Sequence, residues 1–188
     1  LTLPDEYHVK WAGQSESQRT ANTRLAIILP ITLLLIGLIL HINYKNLKNV
    51  LIAMSTILVT LSGCIFALFI TRTYFSISAG VGFIAAIGVS IQNGVIILSS
   101  IIRQNKINSN IEKATIKGAL LKLRPVLTAA LVAILGLLPA ALSNGIGAQS
   151  QKPFAIAIIG GLSFGTTFTL FLIPLLYKIT GEHKNEIS

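Results

Sequence analysis

Polar and apolar positions along this chain are segregated into blocks. Five apolar runs, at 25–41, 50–71, 77–102, 125–142 and 153–177, contain no Asp, Glu, Lys or Arg, and charge collects in the short segments between them. A bilayer's hydrocarbon core, about 30 Å thick, takes about 20 helical residues to cross, and each run reaches that length alone or with its flanks. The runs are too long and too evenly apolar for soluble strands, and a membrane barrel would alternate instead. The pattern predicts an all-α membrane protein with five transmembrane helices. A hydrophobic content of 53%, a charged content of 11% and a mean hydropathy of +0.76 agree.

Residues 1–24 differ from the rest: they are polar, and Tyr7, Val9 and Trp11 alternate with His8 and Lys10 before Ala12 and Gly13 break the pattern. That is the period of a half-buried strand, so this segment reads as the end of a soluble neighbouring domain and its linker. With Leu1 first and no signal-peptide pattern, the chain is expected to be the C-terminal piece of a larger protein.

Charge then sets orientation, because Lys and Arg near span ends stay on the cytoplasmic side. Ten basic residues fall on one side (Lys45, Lys48, Arg103, Lys106, Lys113, Lys117, Lys122, Arg124, Lys178 and Lys184) and five on the other (Lys10, Arg19, Arg24, Arg72 and Lys152). The N-terminus is therefore expected outside and the C-terminus in the cytoplasm. The net charge of +9 expresses this topology and is no nucleic-acid footprint, since the basic loops lack interleaved aromatic residues. In the longest inner loop Ser109 to Glu112 fits a capping box, and Ile111, Ala114, Gly118 and Leu121 recur at helical spacing opposite Lys106, Lys113, Lys117 and Arg124. Two readings follow for 109–122: an interfacial helix whose lysines meet anionic headgroups, or a solvated basic connector.

Within the spans, small residues carry the information, since lipid gives helices no hydrophobic reason to associate and close approach does the work. Gly82, Ala86, Ser90 and Gly94 are spaced by four in the third span, and Ala157, Gly161, Gly165 and Thr169 in the fifth. Both stripes predict faces that touch protein. Gln92 and Asn93 place two adjacent amides inside an apolar span, where an unpaired amide costs a few kcal/mol. Together with Thr128 they read either as helix–helix hydrogen bonding or as the lining of a polar pathway; Thr128 can also bond its own helix.

All six acids (Asp5, Glu6, Glu16, Glu112, Glu182 and Glu186) lie outside the apolar runs, so no intramembrane carboxylate is present to carry a proton. Cys64 and Met54 are single, and His8, His41 and His183 are scattered without ligand spacing, so no metal site is expected; His41 reads as an interfacial residue. The sequence also shows no catalytic triad, phosphate loop or paired carboxylates, and implies no cofactor.

The run KLRPVLTAALVAILGLLP at 122–139 resembles the eleventh transmembrane helix of resistance-nodulation-cell division (RND) efflux permeases, above all their heavy-metal branch. WAGQ at 11–14 with Arg19 and Arg24 resembles the family's exit from its last periplasmic subdomain, and GVGFIA at 80–85 with Asn93 and Gly94 its tenth helix. GIGA at 145–148, QKP at 151–153, IGG at 159–161 and LIPLLY at 172–177 continue the likeness through the twelfth.

This resemblance implies helices eight to twelve of a twelve-helix, homotrimeric inner-membrane pump that exchanges protons for divalent cations, working with a periplasmic adaptor and an outer-membrane channel. Residues 1–24 then correspond to the end of the periplasmic porter domain. The family's proton-carrying carboxylates sit mainly on its fourth helix, and Asn93 and Thr128 match polar residues beside that relay. Copper and silver exporters of the family place a Glu and a Lys where Gln92 and Val126 stand here, which favours the cobalt, zinc and cadmium type. Gln149 also replaces an acid common in the last outer loop. A multidrug member of the superfamily, or an accessory or degenerate membrane piece, are the alternatives.

Overall fold

A computed structural model describes residues 14–107, 110–145 and 147–185. The strand expected at 7–11 lies outside them. Six helices follow in order: α1 Gln14–Tyr44, α2 Leu47–Met54, α3 Thr56–Ile70, α4 Ile77–Ile107, α5 Ile111–Leu142 and α6 Ala148–Asn185. They supply five stretches long and apolar enough to cross a membrane, with α2 and α3 sharing the second. α1 begins at Gln14, inside the segment read as a linker.

The second span is broken because of two neighbouring hydroxyls. Ser55 Oγ donates to Ile52 O at 2.7 Å, the carbonyl that the Thr56 N–H would otherwise use, and Thr56 Oγ1 donates to Ala53 O at 2.9 Å. Side chains that compete with the backbone in this way bend or interrupt helices.

α5 departs from the separate loop helix and fourth span read from the sequence. It runs unbroken for 32 residues through Pro125 and Pro139, a rise of about 48 Å, well beyond the thickness of a hydrocarbon core. Its cap is Asn110, whose side chain accepts from Lys113 N at 3.2 Å; Ser109, from which a capping box was expected, lies outside the described residues. Glu112 is instead paired with Lys178, Nζ to Oε1 at 3.0 Å. The small face of this segment packs on protein: a Cβ on Gly118 would stand 2.6 Å from Ile101 Cα, and Ser100 Oγ donates to Gly118 O at 2.9 Å. Lys113 and Lys117 remain exposed.

α6 lies at the centre, with its most extensive contacts to α4, α3 and α5; α1 sits at the edge against α2 and α4. Burial follows this order, since about half of the most apolar window is buried in α4 and α6 (50% and 56%) but only 6% in α1 and 11% in α5. His41 lies exposed in the last turn of α1.

Candidate functional site

The two small-residue stripes face each other. Added Cβ atoms on α4 and α6 would stand 3.0 Å from Ala157 Cβ at Gly82, 2.7 Å from Ala86 Cβ at Gly161 and 3.3 Å from Ser90 Oγ at Gly165. The partner position rises along α6 as it rises along α4, so these two helices run parallel. At Gly94 the stripe turns to the junction of α2 and α3, with Thr56 Cγ2 of α3 at 3.1 Å and Ala53 O of α2 at 3.6 Å, while Ile173 Cδ1 of α6 lies at 3.2 Å. Absence of side chains is what permits this approach, and it supplies the dispersion contacts on which a bundle in lipid depends.

A third stripe escaped the sequence reading. Thr56, Thr60, Gly63 and Cys64 of α3 lie on one face against α6: a Cβ on Gly63 would stand 2.7 Å from Gly160 O, and one on Gly161 would stand 2.6 Å from Cys64 Sγ. The four-residue period from Thr56 through Thr60 to Cys64 was the available signal. Thr60 Oγ1 lies 2.8 Å from Thr56 O and 2.6 Å from Ser90 Oγ, joining α3 to α4 opposite Gly165. Thr166 and Thr169, both buried on α6, have hydroxyls with no partner among the described residues, whereas most threonines of the bundle bond their own helix.

The two adjacent amides have different surroundings. Asn93 is 5% exposed, and its Nδ2 has no partner among the described residues. Gln92 is exposed, on the side of α4 that also carries Val81, Gly88 and Val89. About 100° of rotation per residue separates the two directions. Thr128 does not join them: it is exposed on α5, and its hydroxyl donates to Arg124 O of its own helix, with Pro125 O at 3.4 Å. The structure thus brings together the stripes of α3, α4 and α6 around Ser90 and Asn93, and leaves Gln92 and Thr128 on open faces. No three His, Cys, Asp or Glu side chains converge among the described residues.

Comparison with known proteins supplies the context for this arrangement. Residues 1–181 match the model of the AcrB/AcrD/AcrF family. The chain is 40% identical over 179 residues to the cobalt-zinc-cadmium resistance protein CzcA of Cupriavidus metallidurans, covering 95% of this chain and 17% of that protein. It is 29% identical over 190 residues to the cation efflux system protein CusA of Escherichia coli K12, covering 95% of this chain and 18% of that one. A crystal structure of a heavy metal efflux pump superposes with a TM-score of 0.80 at 37% identity, covering 94% of this chain and 18% of the pump. The chain spans about a sixth of the length of these relatives.

Proposed function

The chain belongs to the AcrB/AcrD/AcrF family of RND permeases, and on that premise we propose that it forms the C-terminal membrane part of a proton-driven pump that exports divalent heavy-metal cations. The family is one of transporters, and the protein is a multi-pass protein of the inner membrane. The observation that carries the metal reading is 40% identity to a cobalt-zinc-cadmium resistance protein along 95% of the chain, against 29% to CusA. The high structural similarity to a heavy metal efflux pump supports it.

On this reading α1 to α6 form helices eight to twelve of the pump, with the N-terminus periplasmic and the C-terminus cytoplasmic, as the ten-to-five division of basic residues favours. The assembly is a trimer served by a periplasmic adaptor and an outer-membrane channel. The proton-carrying carboxylates belong to helices outside this chain, and Gln92, Asn93 and Thr128 serve as their neighbours. Gln92 and Thr128 do so from open faces, where they can hydrogen-bond a carboxylate and shift its pKa. Asn93 does so from a buried position, where its Nδ2 has no partner among the described residues and is left to donate to a group from a helix outside this chain.

The test is zinc, cobalt and cadmium tolerance of cells lacking their own exporters and expressing the full-length gene with and without this segment. Resistance that vanishes with the segment is expected, and no resistance from the intact gene would overturn the metal reading. In the intact protein Asn93→Leu with Thr128→Val should slow proton-coupled export while leaving trimers intact; unchanged transport would reduce both residues to packing.

A further inference from the structure

The end of the bundle where α4 finishes and α5 begins holds a groove of about 620 Å³, lined by Val95, Ile96, Ser99, Arg103, Leu121 and Lys122 among others. Its hydroxyls are already engaged. Ser100 Oγ donates to Gly118 O at 2.9 Å, and Ser99 Oγ donates to Val95 O at 2.6 Å and lies 2.9 Å from the Tyr44 hydroxyl. The rest of the lining is a largely apolar wall carrying Gln104 and two cations, Arg103 and Lys122.

Arg103 and Lys122 take part in no ion pair among the described residues, and Glu112, the carboxylate of α5, is paired with Lys178. Nothing in the described structure therefore neutralises them. The polarity has a direction: the cations lie at the loop end, and the groove runs back along α4 to Val95, eight residues or about 12 Å nearer the middle of the span. A charged mouth at headgroup level above an apolar floor has the geometry of a phospholipid, and basic pockets between helices on the cytoplasmic side are known to take anionic headgroups. A further apolar patch flanked by Lys113 and Lys117 continues from Leu121 along α5.

We infer that this groove binds an anionic phospholipid, its phosphate between Arg103 and Lys122 and an acyl chain along Val95 and Ile96. The inference rests on the orientation proposed above but not on transport, so it is tested by binding in the intact permease. Native mass spectrometry of the trimer released from nanodiscs should show phosphatidylglycerol retained over phosphatidylcholine. Arg103→Gln with Lys122→Gln should lower that occupancy by about fivefold for each cation removed, equivalent to about 1 kcal/mol each. The charge-conserving pair Arg103→Lys with Lys122→Arg should retain the lipid, which separates charge from folding. A photo-crosslinking residue at position 107 should capture lipid. Equal retention of the two lipids, unchanged occupancy in the Gln pair, displacement by glycerol phosphate alone, or capture of protein at 107 would each overturn the assignment.

Discussion

α6 and α5 are of similar length and apolarity, yet one is the centre of the bundle and the other presents most of its surface outward. The difference lies in the placement of small residues, not in hydrophobicity. α6 concentrates Ala157, Gly160, Gly161 and Gly165 on faces where α3 and α4 approach within contact of the backbone. Beyond Pro125, α5 carries large apolar residues around most of its circumference, and Gly136 has nothing within 4 Å of where its Cβ would be. In a bilayer, Leu facing lipid and Leu facing Leu cost about the same, so burial is decided by where the backbones can meet.

The sharpest way to break this contrast is a large side chain in the seam. Gly63→Leu should destabilise the bundle by about 1–3 kcal/mol or more, because the obstructing groups include the Gly160 carbonyl, which cannot move without its helix. Reversible unfolding in mixed micelles would measure it, and a neutral result would mean that the two backbones are not in contact. Asn93→Leu should raise stability in the same measurement by about 1 kcal/mol, since it removes a buried amide with an unpartnered Nδ2. A loss would show that the amide has a partner in the membrane. Ser90→Ala should cost only about 0.6 kcal/mol, the usual worth of an interhelical hydrogen bond in lipid, here the one to Thr60. Gly136→Leu should fall within about 0.5 kcal/mol of zero in the isolated chain. Tolerance there combined with failure in the full-length protein would mark this face as covered by another helix.

The five spans were legible because segregation of charge is a coarse signal that needs no knowledge of neighbours. The stripes in α4 and α6 were legible because a four-residue period of small residues survives in one dimension. What stayed hidden depended on the azimuth of partner helices or on competition between nearby groups. The stripe's period places Asn93, three residues after Ser90 and seven after Ala86, on the inward face and Gln92 away from it, a signal the sequence reading left unused. Asn110 capping α5 and Glu112 pairing with Lys178 were likewise not foreseen. The continuity of α5 was obscured by Pro125, which marks a boundary in soluble helices but is accommodated in spans where neighbours satisfy the freed backbone.

The interruption at Ser55 has a mechanical consequence. A helix missing one rung of its ladder flexes there more readily than an unbroken one, and the interruption divides the second span between two sets of neighbours: α2 touches α1, α4 and α6, while α3 packs chiefly on α6 and is tied to α4 through Thr60 and Ser90. Displacement passed from α1 to α2 can be taken up by rotation about Ser55 before it strains the contacts of Gly63 and Gly161 along α3. The span can thus serve as a joint, rigid along α3 and more compliant at its junction with α2.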